Sequence, residues 1–146
     1  MSDYPFWWDK TITIYNRIQD TTTSKVTWSS CVLTECFWQY RNNVNYVNNV
    51  KMEVKDVICR IPKKENYTPL ETWKTLTEFD GLFTLRNGDV IILGEVSDEV
   101  DEYTRGKHMT DVLNKYKEVN RAIQIESFTD DTGVGLCAEH YKILGV

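Results

Sequence analysis

Apolar and polar residues alternate with a period of two along most of the chain, which predicts a mainly β protein. Ile12 and Ile14 begin this pattern, with threonines between and before them. The alternating stretches cover residues 10–17, 25–40, 51–61, 83–86, 89–96, 121–128 and 140–146. In the second stretch the alternation is interrupted near Ser29 and Ser30, so a bulge or bend is expected there.

The sharpest turn signal is Asn87-Gly88, between two of these stretches. Asn-Gly favours the two positive φ angles of a type I′ turn, so we predict a tight hairpin with positive φ at both residues. Gly133 and Gly135 mark a further turn before the last strand. These turns join neighbouring strands and therefore favour an antiparallel arrangement.

Two longer segments are predicted to be loops. Residues 39–50 contain five asparagines, and asparagine favours turns and left-handed backbone, so this segment is expected to join the second and third strands. Residues 62–81 are polar and contain two prolines, and only Trp73 and Leu76 offer an apolar anchor there.

One helix interrupts the β pattern, in a helical insertion near residues 97–119. Its apolar positions follow the period of an α-helix and form one stripe, made of Met109, Val112, Leu113, Tyr116 and Val119. The stripe packs either on its own domain, the commoner arrangement, or on a partner. We therefore predict a small antiparallel β-barrel over residues 10–146 with one inserted amphipathic helix, at the margin of the α+β class. An aromatic N-terminal arm, residues 1–9, precedes it.

Composition fits a single globular domain, with 146 residues of which 41% are apolar and 27% charged. The formal charge of −5 disfavours a protein that holds nucleic acid through its phosphates. The longest apolar run is too short to cross a bilayer, and the N-terminus lacks the basic and apolar regions of a signal peptide. We expect a soluble protein that is made in a cytoplasm and not secreted.

Cysteine and histidine predict no cofactor and no metal site. The four cysteines form no C-x-x-C pair, and free buried thiols behave as small apolar groups. Cys31 and Cys36 are five positions apart on one predicted strand, so they are expected on opposite faces. Cys137 and His140 alone are too few for a structural zinc.

Several motifs, taken in their order and spacing, resemble one family. They are TITIYNR at residues 11–17, CFW at 36–38, ICRIP at 58–62, an isolated Trp73, FTLRNGDVIILGEV at 83–96 and HYKILG at 140–145. The chain resembles the minor capsid proteins of tailed phages and prophages of Gram-positive bacteria. These are head completion proteins, also called stoppers or head–tail connectors.

The resemblance implies a structural virion protein of the phage neck that has no enzymatic activity and is made in the host bacterial cytoplasm. It implies a small β-barrel that forms a homo-oligomeric ring, with a portal or adaptor protein above and a tail protein below. Such a ring closes the head after DNA packaging. DNA passes through it without specific binding, and no membrane is involved.

The resemblance also assigns a role to the asparagine-rich segment. In the resembling stoppers the corresponding loop projects into the central channel and helps to plug it. The candidate plug residues are Asn42, Asn43, Asn45, Asn48 and Asn49. An ordinary solvated hairpin is the alternative interpretation.

An acidic run places five acids within eight residues, starting at Glu95. Most such runs are solvated faces, and this one lacks the spacing of a calcium loop. In a DNA channel, however, carboxylates repel phosphates and prevent the polymer from being trapped. The candidate channel-lining residues are Asp98, Glu99, Asp101 and Glu102.

Four apolar residues are candidate subunit contacts, because exposed aromatic clusters and apolar stripes are typical of interfaces. They are Trp7 and Trp8 in the N-terminal arm, and Leu113 and Tyr116 in the helical stripe. Packing within their own barrel is the alternative for all four.

Two other functions compete with a structural role. A single-stranded nucleic-acid-binding, OB-like barrel fits the five tryptophans, but it needs a basic groove, and Lys63-Lys64 is the only adjacent basic pair. An enzyme could use the carboxylate pairs Glu78/Asp80 or Asp130/Asp131, which lie in turn-like sequence with no histidine nearby.

Overall fold

The computed structural model describes residues 7–20, 22–79, 81–130 and 139–146, and within them six strands form a closed barrel. The strands are β1 (Lys10–Gln19), β2 (Val26–Val47), β3 (Val50–Pro62), β4 (Val90–Leu93), β5 (Ala122–Asp130) and β6 (His140–Gly145). The helices are α1 (Leu70–Trp73) and α2 (Met109–Lys117). The strand order is β1-β2-β3-β6-β5-β4, and β4 closes on β1 with every pair antiparallel. The predicted mainly β barrel is confirmed.

The barrel interior is filled by one side of each strand. Ile12, Ile91 and Ile143 are among the fully buried side chains that meet there, together with Phe83 and Leu85 from the segment before β4. Trp73 of α1 is buried as well, as its predicted anchoring role requires. The barrel interior therefore contains apolar side chains that the period-two pattern predicts to be buried.

A second apolar layer lies on the outside of the barrel, under α2. Tyr15, Val90 and Ile92 point away from the interior and meet Val112 and Leu113 of the helix. The helical stripe thus packs on its own domain, which was the commoner of the two expected arrangements. Val119, at the end of the predicted stripe, lies beyond the helix and is exposed.

Leu113→Ala is expected to reduce the free energy of unfolding by about 2 kcal/mol, because the truncated side chain leaves a cavity between α2 and the barrel. Val119→Ala is the matched control and should change stability by less than about 0.5 kcal/mol. Urea unfolding of both variants tests the packing, and equal effects would contradict it.

The predicted bulge at Ser29 and Ser30 is wrong, since both residues pair regularly with β1. The irregularity lies a few residues later, where the β1–β2 register shifts and Glu35 has a φ of +59°. An extra residue in one strand inverts which side chains face inward beyond it.

This displaced bulge also corrects the prediction for the cysteines. Cys31 faces the core before the bulge, and Cys36 faces the core after it, so the two lie on the same side and not on opposite faces. Cys59 joins them in the interior, and all three are free thiols.

The predicted loop over residues 39–50 is wrong in most of its length. β2 continues to Val47, and its pairing with β3 runs without interruption from Phe37↔Arg60 to Val47↔Val50. Only Asn48 and Asn49 form the turn, with φ angles of +52° and +65°. The cross-strand ladder outweighs the preference of the other asparagines for turns.

The hairpin predicted at Asn87-Gly88 is also wrong. Gly88 has a φ of +96°, but Asn87 is not among the described residues with positive φ. The Asp89 N–H donates to the Arg86 carbonyl over 3.2 Å, so the residues form a turn of the type II kind. Residues 84–86 form no ladder with β4, because the buried Asn16 side chain of β1 binds the backbone of Thr84 instead.

Candidate functional site: a hairpin extension and an acidic segment

The most distinctive surface of the molecule is the end of the β2–β3 hairpin. β1 last pairs with β2 at Cys36, and β6 last pairs with β3 at Val57. We call residues 41–56 the hairpin extension, because they continue past these contacts as a two-stranded ribbon. At its base the Arg41 guanidinium donates two hydrogen bonds to the Asp56 carboxylate, at 2.9 Å and 2.8 Å. This bidentate pair fixes the ribbon where it leaves the barrel.

The hairpin extension exposes apolar side chains to an unusual degree. Half of the large apolar side chains that are exposed in the described residues belong to Tyr40 or to the extension, namely Tyr40, Val44, Tyr46, Val47, Val50 and Met52. Tyr46 is 72% exposed, the highest value among them. Concentrated apolar exposure of this kind marks interaction surfaces.

The two faces of the ribbon differ in chemistry. Residues opposite each other in the ladder share a face, so Val44 lies beside Glu53, and Tyr46 beside Lys51. This first face therefore mixes tyrosine, valine and charge. Val47, Val50 and Met52 lie on the second face.

The structure brings all five candidate plug residues into the hairpin extension. Asn42, Asn43 and Asn45 belong to β2, and Asn48 and Asn49 form the tip. The Asn42 amide donates to the Glu53 carboxylate over 2.9 Å. The segment is thus a ribbon with a tight end and not a loop.

The candidate channel-lining acids lie on the outside of the barrel, between β4 and α2. The Asp98 carboxylate accepts hydrogen bonds from Lys115 Nζ at 2.9 Å and from Tyr116 Oη at 3.0 Å. The hydrogen bond from Lys115 holds the pKa of Asp98 below its usual range. Asp98 therefore joins the segment to the helix.

The other three acids also have partners in their own chain. Glu102 accepts from Trp28 Nε1 at 3.2 Å and from the Met109 N–H at 2.7 Å, which ties the start of α2 to β2. Asp101 accepts from the Thr104 hydroxyl at 2.7 Å. Glu99 pairs with Lys107 at 3.2 Å on the surface. These contacts give the run a structural role in seating α2.

Asp98→Asn should reduce stability at pH 7 by less than about 1 kcal/mol, since the ion pair is near the surface. A lowered pKa adds stability above the ordinary value of 3.8, and this stability is lost as the pH falls through the folded-state pKa. The difference from the wild type should therefore shrink as the pH falls below 3.8. Urea unfolding at pH 7 and pH 3 measures it, and Glu99→Gln at an exposed pair is the control.

The four candidate subunit contacts divide into two kinds. Trp8 is buried, with its ring 6.3 Å from Phe37 and 5.3 Å from His140 between centroids. Leu113 is buried between α2 and the barrel, and Tyr116 packs against the same cluster. Trp7 alone of the four is largely exposed. Tyr4 and Phe6 of the N-terminal arm lie outside the described residues.

The candidate metal and thiol residues can be located only in the described part of the chain. It holds no group of three or more His, Cys, Asp or Glu side chains placed to bind a metal, and Cys137 lies outside it. Burial raises the pKa of the Cys36 thiol to about 12. Of the weighed carboxylate pairs, Glu78 and Asp130 are exposed, and Asp80 and Asp131 are not described. In the described ranges, no helix has the length and apolarity needed to cross a membrane.

Comparison with known proteins places the chain in one family. The model of a family of unknown function, DUF6751, matches residues 7–146. The chain belongs to the DUF6751 family. No curated protein and no solved structure matches it. The matched range of this DUF6751 member includes all six barrel strands and the hairpin extension.

Sequence reasoning missed two features of this DUF6751 member. The alternation of Val44 and Tyr46 with asparagine was a strand signal within the predicted loop. No local sequence pattern indicated the second feature, a groove of about 850 Å³ that is lined in part by Arg17, Lys74 and Phe79. Arg17 is distant from the other two residues in the sequence.

Proposed function

We propose that the chain is a structural protein of the phage neck, which closes the head after DNA packaging and connects the portal or adaptor to the tail. The observation that carries this proposal is the hairpin extension. It presents apolar side chains and two strand edges that leave the barrel. Surfaces of this kind are covered by other protein chains in stable assemblies.

The sequence resemblance and the charge support the same proposal. In the resembling stoppers the segment between the second and third strands reaches the channel of a ring, and here it is a ribbon with asparagines along β2 and at its tip. The net charge of −5 per chain would be multiplied in a homo-oligomeric ring. DNA phosphates would then pass without being held. Of the four candidate subunit contacts, Trp7 is the exposed one that would contact a neighbour.

The experiment is reconstitution with the portal and adaptor proteins encoded beside this chain's gene. We expect the chain to bind the portal–adaptor complex and to appear as an added ring in electron micrographs. A chain that stays free in the presence of an intact portal–adaptor complex would overturn the proposal. A gene position away from the capsid and tail genes would argue against it independently.

Binding of single-stranded nucleic acid is the second candidate, and one observation favours it. Tyr46 lies beside Lys51 on the same face as Tyr40 and Lys55, which combines stacking surfaces with positive charge. Glu53 lies between the two lysines and weakens the site. Fluorescence anisotropy with a labelled oligonucleotide at low salt tests this candidate. Lys51→Ala with Lys55→Ala should abolish any binding that depends on this face.

A further inference from the structure

The two strands of the hairpin extension protect their outer edges differently. β3 carries Lys51, Glu53 and Lys55 in alternation, and charged side chains are the usual defence of an exposed edge. β2 has no charged residue between Asn42 and Val47, no proline, and no bulge after Glu35. Its outer edge therefore remains open to pairing with another strand.

We propose that two copies of this chain pair through the β2 edges of their hairpin extensions, antiparallel and about a two-fold axis at Asn42. The pairing would extend from Trp38 to Tyr46. Beyond Cys36, β2 forms no strand pair on this side within the described structure.

Side-chain order along β2 favours this register. The even-numbered residues from Trp38 to Tyr46 share one face of the strand. Centring the two-fold axis on Asn42 places Tyr40 opposite Val44 of the second copy, and Trp38 opposite Tyr46 of the second copy. Asn42 meets its own equivalent. Aromatic residues thus meet aromatic or β-branched residues and an amide meets an amide, which are favourable cross-strand combinations. A shift by two residues places Asn42 opposite Val44 or Tyr40 and so loses the amide pair.

The distribution of charge favours β2 of the second copy, and not its β3, as the strand that pairs with β2. Pairing β2 with β3 would place Tyr40 and Val44 beside Lys51, Glu53 or Lys55. In the β2–β2 arrangement these charges stay on the outer strands of a four-stranded ribbon, in water. Within the contact the one charged residue is Arg41, which the register places opposite Asn43 of the second copy and which is already paired with Asp56 of its own chain.

This inference goes beyond the neck proposal and does not depend on it. A two-fold contact uses the same surface on both copies, whereas a ring is built from two different surfaces. The dimer is therefore a state of the free chain in which the open β2 edge is covered. Reconstitution with the portal and measurement of the free chain report on the two proposals separately.

Disulfide trapping tests the register. Cys137→Ser is the background, since the other three cysteines are buried. Directly opposite residues in antiparallel strands have Cα atoms about 4.5–5.5 Å apart, within disulfide range. Asn42→Cys should therefore form a covalent dimer on mild oxidation. Tyr40→Cys mixed with Val44→Cys should give the mixed dimer, whereas neither should cross-link alone. Lys51→Cys on β3 is the control that should remain monomeric.

Sedimentation of the full chain tests the contact without cross-linking. We expect a monomer–dimer equilibrium, and Val44→Lys should raise its dissociation constant by about tenfold or more. Val50→Lys makes the same exchange on β3 and should leave the equilibrium unchanged. A wild-type chain that is monomeric at every concentration would overturn the proposal. So would a dimer that Val44→Lys does not weaken, or cross-linking that ignores the predicted register.

Discussion

Replacing Asp89 with alanine is expected to destabilise the fold by about 3 kcal/mol, because the variant leaves buried donors without their acceptor. Asp89 is only 1% exposed. Its carboxylate accepts from Asn16 Nδ2 at 2.8 Å, from the Arg17 N–H at 3.3 Å and from Arg86 Nη2 at 3.2 Å. These bonds hold the segment before β4 against β1, so their loss should loosen one end of the barrel.

The matched control is Glu126→Ala, which removes an exposed carboxylate from β5 and should change stability by less than about 0.5 kcal/mol. Thermal and urea unfolding of both variants give the comparison. Equal stability of the two variants would show that the Asp89 network contributes nothing to the fold.

Asp89→Asn removes the negative charge and keeps a side chain of the same size with one oxygen that can accept hydrogen bonds. Burial raises the pKa of Asp89 above its ordinary value of 3.8, although its hydrogen bonds and Arg86 oppose the shift. The folded state therefore binds the proton more tightly than the unfolded state does. The stability contributed by this group is fully present below pH 3.8 and declines as the pH rises through the raised pKa. The wild type should lose stability relative to Asp89→Asn over that window. A gain would contradict the raised pKa.

Local patterns predicted the barrel because each strand has one buried and one solvated side. The alternation of Ile12 and Ile14, and that of Ile123 and Ile125, reports burial directly, and the helical stripe of α2 does so with its own period. These signals need only residues that are close in the sequence. The strand positions and the barrel class followed from them.

The features that were mispredicted depend on contacts between distant residues. Asn87-Gly88 has the sequence of a hairpin turn, but Asn16 binds Thr84 from 68 positions away and holds the preceding segment apart from β4. The bulge at Glu35 is visible only through its β1 partner. Neither interaction leaves a periodic trace in the sequence.

The sequence pattern singled out the segment that forms the hairpin extension, but it did not predict that this segment is a pair of strands. The asparagines identified the segment between β2 and β3, because five of them in twelve residues are unusual. Because asparagine favours turns, the part of β2 that contains Val44 and Tyr46 was predicted to be a loop. The open edges of the extension follow from where β1 and β6 end, which is a property of the assembled barrel.

Removing the hairpin extension should abolish assembly while leaving the barrel folded. Replacing residues 42–55 with Asn-Gly closes the hairpin directly after the Arg41–Asp56 pair, which suits a two-residue type I′ turn. The midpoint of thermal unfolding should stay within about 3 °C of the wild-type value, because the side chains described in the removed part are exposed. Binding to the portal–adaptor complex, in contrast, should be lost completely, since the variant lacks most of the exposed apolar surface that the neck proposal requires.

The control keeps the length of the ribbon and changes only its tip, with Asn49→Gly in the turn. Glycine adopts the positive φ of +65° at this position without strain, so both the fold and the binding should be retained. Co-purification with the portal–adaptor complex, followed by electron microscopy, separates the two variants. Wild-type binding by the shortened chain would place the partner contact elsewhere on the barrel and remove the main support for the proposed function. Loss of binding by both variants would instead assign the contact to the tip, where Asn48 and Asn49 turn the chain.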